Sequence, residues 1–316
     1  MSKKKVIAVF GATGAQGGGL ARAIAADTSG SFSARAITRN PESDKAKALA
    51  ALGIEVVSAD TDQESTLDAA LAGAHAAFCV TNFWEHFSAE REGKQATAMA
   101  RATKRAGLAH VIWSTLEDTR KLLPLSDSRL PTLHGQYNVP HFDSKGSVDA
   151  TFTQQGAPTT FLLTSFYWEN FIHFGMAPRA GADGRLVLAM PLGGAKLPGI
   201  SVEDIGRCAL GLFRQGPGTA GQYIGITGGI LSGLEMAEAM ARAFKKSVTF
   251  ADVPFDVYRG LGFPGADDLG NMFQYQAIFH DEFVSSRSLE TARTLNPGIL
   301  SFEAWLAANA ENIPLA

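Results

Sequence analysis

Cysteine is scarce in this chain: Cys79 and Cys208 stand in separate apolar contexts, without CxxC spacing. That excludes a disulfide framework and a cysteine-based zinc site, and two buried free thiols are the simpler reading. The seven histidines include no HExxH pair, and neither a GxSxG elbow nor a GxxxxGK[ST] loop occurs. Zinc-protease, serine-hydrolase and P-loop chemistry therefore drop out, and no metal site is expected. No run approaches the roughly 18 consecutive apolar residues of a membrane span, so no membrane anchor is expected. The basic run Lys3-Lys4-Lys5 leads into Val6 to Phe10, too short for a signal h-region, and the expected location is the cytoplasm. A surplus of positive charge is missing too. The net charge is -3 at pH 7, and direct nucleic-acid binding, which calls for a clustered basic face, is not expected.

What is present fits a globular α/β chain. With 316 residues, 46% of them hydrophobic, there is room for one large domain or for a nucleotide-binding domain with a smaller partner. VIAVF, FSARAIT, EVVS, AAFCV, HVIWS and TTFLLT read as six strands. Helical stretches at 15–26, 43–52, 64–71, 89–106 and 147–155 lie between them. Right-handed crossovers make this a Rossmann, doubly wound parallel sheet of order 3-2-1-4-5-6, with its ligand crevice at the carboxyl ends of strands one and four. The expected division is 1–165 for this domain, with parts of 200–230 joining it. Residues 166–316 form a smaller, discontinuous, mostly α-helical lobe. Within that lobe LVLAM and VTFADV read as strands, and Ser232-x-x-Glu235 has the spacing of a capping box. QYIGIT, at 222–227, reads as a strand as well. One long connection, 117–140, lies beside the expected crevice, where loops of that length are often functional, and it is a candidate lid.

The densest signal is GATGAQGG. Gly11, Gly14 and Gly17 give GxxGxxG spacing between a strand and a helix, where glycine lets the backbone approach a pyrophosphate at the helix N-terminus. Strand two ends in Thr38-Arg39-Asn40-Pro41, and Arg39 occupies the place where NAD binders set an acid for the ribose 2′-hydroxyl. A guanidinium there grips a 2′-phosphate, and the nearest acid along the chain is Glu42, so NADP(H) is favoured over NAD(H). A solvated strand-end arginine is the plainer alternative. Strand three ends in Asp60-Thr61, which puts a carboxylate where it can accept from the adenine amine. Such aspartates also simply cap helices.

With these positions in hand, VFGATGAQGG, TRNP, VTNFWE at 80–85, HFDSKG at 141–146, YWENF at 167–171, LGFPGADDLGNMF at 261–273 and the closing LNPGILSFEAWL resemble the NmrA-like family of atypical short-chain dehydrogenases. The resemblance covers nearly the whole chain and is strongest to the branch of NADPH-sensing regulators. It implies that Gly11, Ala12, Thr13, Gly14, Ala15 and Gln16 hold the pyrophosphate, and that Arg39 with Asn40 holds the 2′-phosphate. The family's Thr-Asn turn falls on Thr81, Asn82 and Phe83, its helix lysine on Lys94, and its lysine beside the nicotinamide ribose on Lys145. Tyr167, Trp168, Glu169 and Asn170 match the segment lining the nicotinamide end; read alone, that segment is an apolar helix start.

Short-chain dehydrogenases pair a tyrosine acid with a lysine four residues later. Here His141 stands four before Lys145, a spacing that puts both on one helix face and makes a histidine acid conceivable. Its place after Pro140, in the helix's first turn, equally suits a solvent-facing side chain. Lys145 reads first as a ribose contact and second as a proton donor. Ser114 and Thr115 end strand five, where a polar substrate contact or a plain strand end both fit. Phe166, Tyr167, Trp168, Phe171 and Phe174 read as core ahead of a substrate pocket. Two functions follow. One is a redox sensor whose display to a regulatory protein partner changes with NADPH occupancy. The other is an NADPH-dependent reductase of an apolar carbonyl, quinone or imine. The missing tyrosine favours the first, and a homodimer is compatible with either.

Overall fold

The computed structural model describes residues 4–181 and 184–315; Lys3 of the basic run lies outside them. The apolar runs of the first half become strands and the stretches between them helices. In order these are β1 (Lys5–Val9), α1 (Ala15–Ala26), β2 (Phe32–Thr38), α2 (Asp44–Ala51), β3 (Glu55–Ser58), α3 (Leu67–Leu71), β4 (Ala76–Cys79) and α4 (Ala89–Arg105). There follow β5 (His110–Thr115), α5 (Pro140–Gly146), α6 (Asp149–Gln155) and β6 (Thr159–Leu163). The second half adds β7 (Phe166–Tyr167), α7 (Asn170–His173), β8 (Arg179–Ala180), β9 (Leu186–Met190), β10 (Leu197–Ile200), α8 (Val202–Gln215), β11 (Tyr223–Gly225) and β12 (Gly229–Leu231). It closes with α9 (Gly233–Phe244), β13 (Val248–Asp252), α10 (Phe255–Arg259), α11 (Ala266–Ile278), α12 (His280–Ser285), α13 (Leu289–Leu295) and α14 (Phe302–Asn309).

The main sheet runs β11-β6-β5-β4-β1-β2-β3, with every pair parallel. This is the order read from the sequence with β11 added beside β6. Side chains alternate along β1: Ile7 and Val9 join one core layer, Ala8 and Phe10 the other, because successive residues point to opposite faces. Helices cover both faces, so β4 and β5 are buried along their whole length.

Two glycines explain how closely α1 and α8 cross. A side chain at Gly206 would overlap the backbone of Gly19 and Leu20, and one at Gly19 would press on the Val202 carbonyl oxygen. The smaller lobe contains two three-stranded sheets, β12-β10-β7 and β13-β9-β8, among helices. Its core is aromatic, built on Trp168, Phe171, Phe273, Phe302 and Trp305. The capping box at α9 is complete, Ser232 accepting from the Glu235 amide and Glu235 from the Ser232 amide. Among the described residues no helix is long and apolar enough to cross a membrane.

Candidate functional site

The glycine turn lies where β1 meets α1. Gly11 adopts φ +61°, and a Cβ there would come within 2.9 Å of Val80 Cγ1. A Cβ on Gly17 would sit 2.5 Å from the Gly11 carbonyl oxygen, so neither position takes a side chain without displacing its surroundings. Helix α1 starts at Gly14 with no side-chain cap and no acid in its first turn, which leaves its positive end unneutralised. Gln16 donates from Nε2 to the Tyr167 hydroxyl at 2.5 Å, while its buried Oε1 has no hydrogen-bond partner among the described residues. A backbone cradle, an uncapped helix end and one orphaned acceptor fit a dinucleotide phosphate and its ribose.

At the end of β2, Asn40 closes a local turn: its Oδ1 accepts from the Glu42 amide at 3.0 Å. Arg39 is half exposed, and its Nη2 lies 2.5 Å from Glu85 Oε1. Glu42 is the nearest acid along the chain, but Glu85 stands closer in space. Glu42 pairs with Lys47 at 3.3 Å, and the turn after β4 brings Glu85 onto Arg39. The Asp60 carboxylate accepts from the Asp62 amide at 3.0 Å, so it organises its own turn. Thr61 borders a surface groove of about 550 Å³ along the outer flank of α4, together with Lys94 and Arg101; no residue of the glycine turn lines it.

Lys145 projects from α5, whose seven residues are all buried. Its Nζ donates to Thr81 Oγ1 at 2.6 Å and to the Thr81 carbonyl at 3.1 Å, and lies 2.8 Å from Glu92 Oε1. The Trp113 ring is 5.5 Å away. Glu92 is fully buried and accepts from the hydroxyls of Thr81 and Ser144 as well. Burial opposes its charge, yet Lys145 and those donors hold the carboxyl below its ordinary range. Thr81 and Lys145 are thus brought together, with Asn82 exposed and Phe83 buried beside them. Lys94 is not brought to them. Two residues, about 200° of helical turn, separate it from Glu92, and it pairs with Glu90 on the outer face at 74% exposure.

His141 is buried rather than solvent-facing, because the smaller lobe closes over the first turn of α5. Its Nδ1 lies 2.6 Å from Asp268 Oδ1 and its amide donates to Asp268 Oδ2 at 3.2 Å. The Trp84 ring packs 4.7 Å away. Among the described residues Nε2 has no hydrogen-bond partner, and it is not sealed from solvent.

The Tyr167 to Asn170 segment divides. The Tyr167 phenol meets Gln16 in the glycine turn, and burial pushes its pKa up. Trp168 is core of the smaller lobe. Glu169 accepts from Ser201 Oγ at 2.8 Å, the Val202 amide at 3.0 Å and Trp305 Nε1 at 3.0 Å, so it caps α8 and ties it to α14. These are the contacts of the two residues that the resemblance sets at the nicotinamide end. Asn170 opens α7. Phe171 is core, whereas Phe174 is exposed. Thr115 donates to Asp149 at 2.7 Å and is buried with Ser114.

The long connection is pinned along its length. Thr119 donates through its amide and hydroxyl to Asp143, Asn271 Nδ2 holds the Pro131 and Asn138 carbonyls, and Glu117 pairs with buried Arg287. Both cysteines are free and buried, and burial pushes both thiols up, Cys208 to about 12. Glu85, Glu92, Ser144 and Asp268 were not singled out from the sequence. Only Glu92 carried a usable signal, an acid on the alanine-rich inner stripe of α4.

The model of the NmrA-like family matches residues 3–306. The NmrA-like family domain-containing oxidoreductase cpsB of Aspergillus campestris is 26% identical over 98% of this chain and 92% of its own length. The crystal structure of NmrA, a negative transcriptional regulator, superposes with a TM-score of 0.77 at 25% identity, covering 96% of this chain and 95% of that one. The same regulator has been solved in complex with NADP. The triphenylmethane reductase of Citrobacter sp., complexed with NADP(H), shares the fold with a TM-score of 0.74 at 19% identity, over 96% of this chain and 99% of that one.

Proposed function

The chain belongs to the NmrA-like family, and from that premise we propose that it binds NADP(H) and acts as a redox sensor, changing conformation or partner binding with NADPH occupancy. The carrying observation is that His141, where a short-chain dehydrogenase would set its tyrosine acid, is held through Nδ1 by Asp268 of the smaller lobe. In this reading the Gly11 to Gly17 turn receives the pyrophosphate, Arg39 with Asn40 the 2′-phosphate, and Lys145 the nicotinamide ribose. NADPH supplies a hydride when bound. The protein's own residues bind and orient it: Glu92 and Thr81 fix the lysine ammonium, and Gln16 links the turn to Tyr167 at the lobe boundary. The regulator NmrA, solved with NADP, supports the reading.

One observation favours a second reading, a reductase of an apolar carbonyl, quinone or imine. Among the described residues His141 Nε2 has no hydrogen-bond partner, Trp84 packs on the imidazole and exposed Phe87 packs against that same indole. This gives a free ring nitrogen, an acceptor in the neutral imidazole and a proton donor in the imidazolium, with an apolar neighbour. The test measures NADPH oxidation across quinones, aldehydes, enones and imines for wild type, Lys145→Ala and His141→Phe, with cofactor affinity and melting followed separately. A sensor turns over nothing efficiently, and Lys145→Ala weakens NADPH binding. Its amide exchange slows on NADPH in the 117–140 connection. Efficient turnover that either substitution abolishes, in a folded protein that still binds NADPH, makes it a reductase.

A further inference from the structure

We propose that Glu85 is a specificity-determining residue for the cofactor: it competes with a 2′-phosphate for Arg39 and itself accepts a 2′-hydroxyl. The inference rests on reading Arg39 as the 2′-phosphate contact. Three observations carry it. First, Arg39 Nη2 and Glu85 Oε1 are 2.5 Å apart, and the two side chains are 52% and 42% exposed, so the pair stands where a ligand can reach it. Second, the acid nearest in sequence, Glu42, is engaged with Lys47, so among the described residues Glu85 is the acid paired with Arg39. Third, β2 ends at Thr38 and Arg39 follows it, without the acid that NAD binders carry there.

A 2′-phosphate brought to Arg39 meets the Glu85 carboxylate as a like charge. It must displace that carboxylate, and each event costs affinity. A 2′-hydroxyl meets the opposite situation. It can donate to Glu85 while Arg39 stays neutralised, so the turn after β4 supplies through space the acid that β2 lacks. The site therefore holds one group for each cofactor, and Glu85 narrows the preference that Arg39 creates. Because the ion pair is exposed, the barrier to displacement is small and the effect is one of tuning.

Calorimetry of NADPH and NADH on wild type, Glu85→Gln, Arg39→Ala and the double variant tests this. Both side chains lie at the surface, so all variants are expected to fold, and melting curves check that. Glu85→Gln should tighten NADPH by about two- to tenfold and weaken NADH by a similar factor. On the Arg39→Ala background the tightening of NADPH should shrink, because the competition for the guanidinium is gone and only the like-charge repulsion is left to relieve. If Glu85→Gln moves neither affinity while Arg39→Ala still weakens NADPH, the role of Glu85 is overturned and the reading of Arg39 stands. If Arg39→Ala leaves NADPH affinity untouched, the reading of Arg39 fails and takes this inference with it.

Discussion

His141 and Asp268 meet across 127 positions of sequence, the carboxylate accepting from both the ring and the backbone amide of the histidine. Both residues are buried, so truncating the acid strands two polar groups at once. Asp268→Ala should lower stability by roughly 2–4 kcal/mol, the range for breaking one partner of a buried, charge-assisted pair. Asp268→Asn, which keeps one acceptor, should lose less than half of that. Urea unfolding measures both, and wild-type midpoints in the two variants would show that the pair does not hold the lobes together.

A second expectation concerns the α1–α8 crossing. Gly206→Ala puts a methyl group into the backbone of Gly19 and Leu20, where no side chain can swing aside, and should cost on the order of 2 kcal/mol or more. Because α1 begins at the glycine turn, NADPH affinity should fall with it. Gly218→Ala, which meets nothing within 4 Å, should stay within about 0.5 kcal/mol of wild type. Equal melting temperatures for the two variants would refute the close crossing.

A third expectation concerns pH. Burial pushes the Asp149 carboxyl up to about 6, against the opposing hydrogen bonds from Thr115, Tyr223 and Trp113. The folded value thus lies above the unfolded one of about 3.9. The group's stabilising contribution is complete below that unfolded value and is lost as pH rises through about 6. Asp149→Asn should therefore gain on wild type between pH 4 and 6, by at most about 2–3 kcal/mol, and hold a constant difference above. Thermal melts across pH 4–8 decide it, since a difference independent of pH means an ordinary carboxyl.

The alternation of strand and helix, the sheet order and the Ser232–Glu235 cap were legible because each is written in neighbouring residues. Periodicity of two or 3.6 and a capping pair need no knowledge of distant chain. The polar partners were not legible. Arg39 finds Glu85 and not Glu42, because the turn after β4 crosses the end of β1. Glu92, and not Lys94, faces Lys145, because packing chose which side of α4 turns inward. Trp168 and Glu169 went to core and cap because the smaller lobe and α8 claim them, a demand that no local pattern carries.

The same layout sets an order of events during synthesis. The main sheet is completed at β11, and its core layer around Ile7 and Leu20 includes Ala292 and Leu295 from α13. When β6 leaves the ribosome its outer edge is unpaired, and the glycine face of α1 still waits for α8. At a few to twenty residues per second, the chain from Leu163 to Leu295 takes on the order of ten seconds to appear. Until β11 follows, the nascent protein carries an open strand edge of the kind that pairs with other chains, and until α13 follows its core layer is incomplete. The residues that complete its first-made half are translated long after the strands they cover.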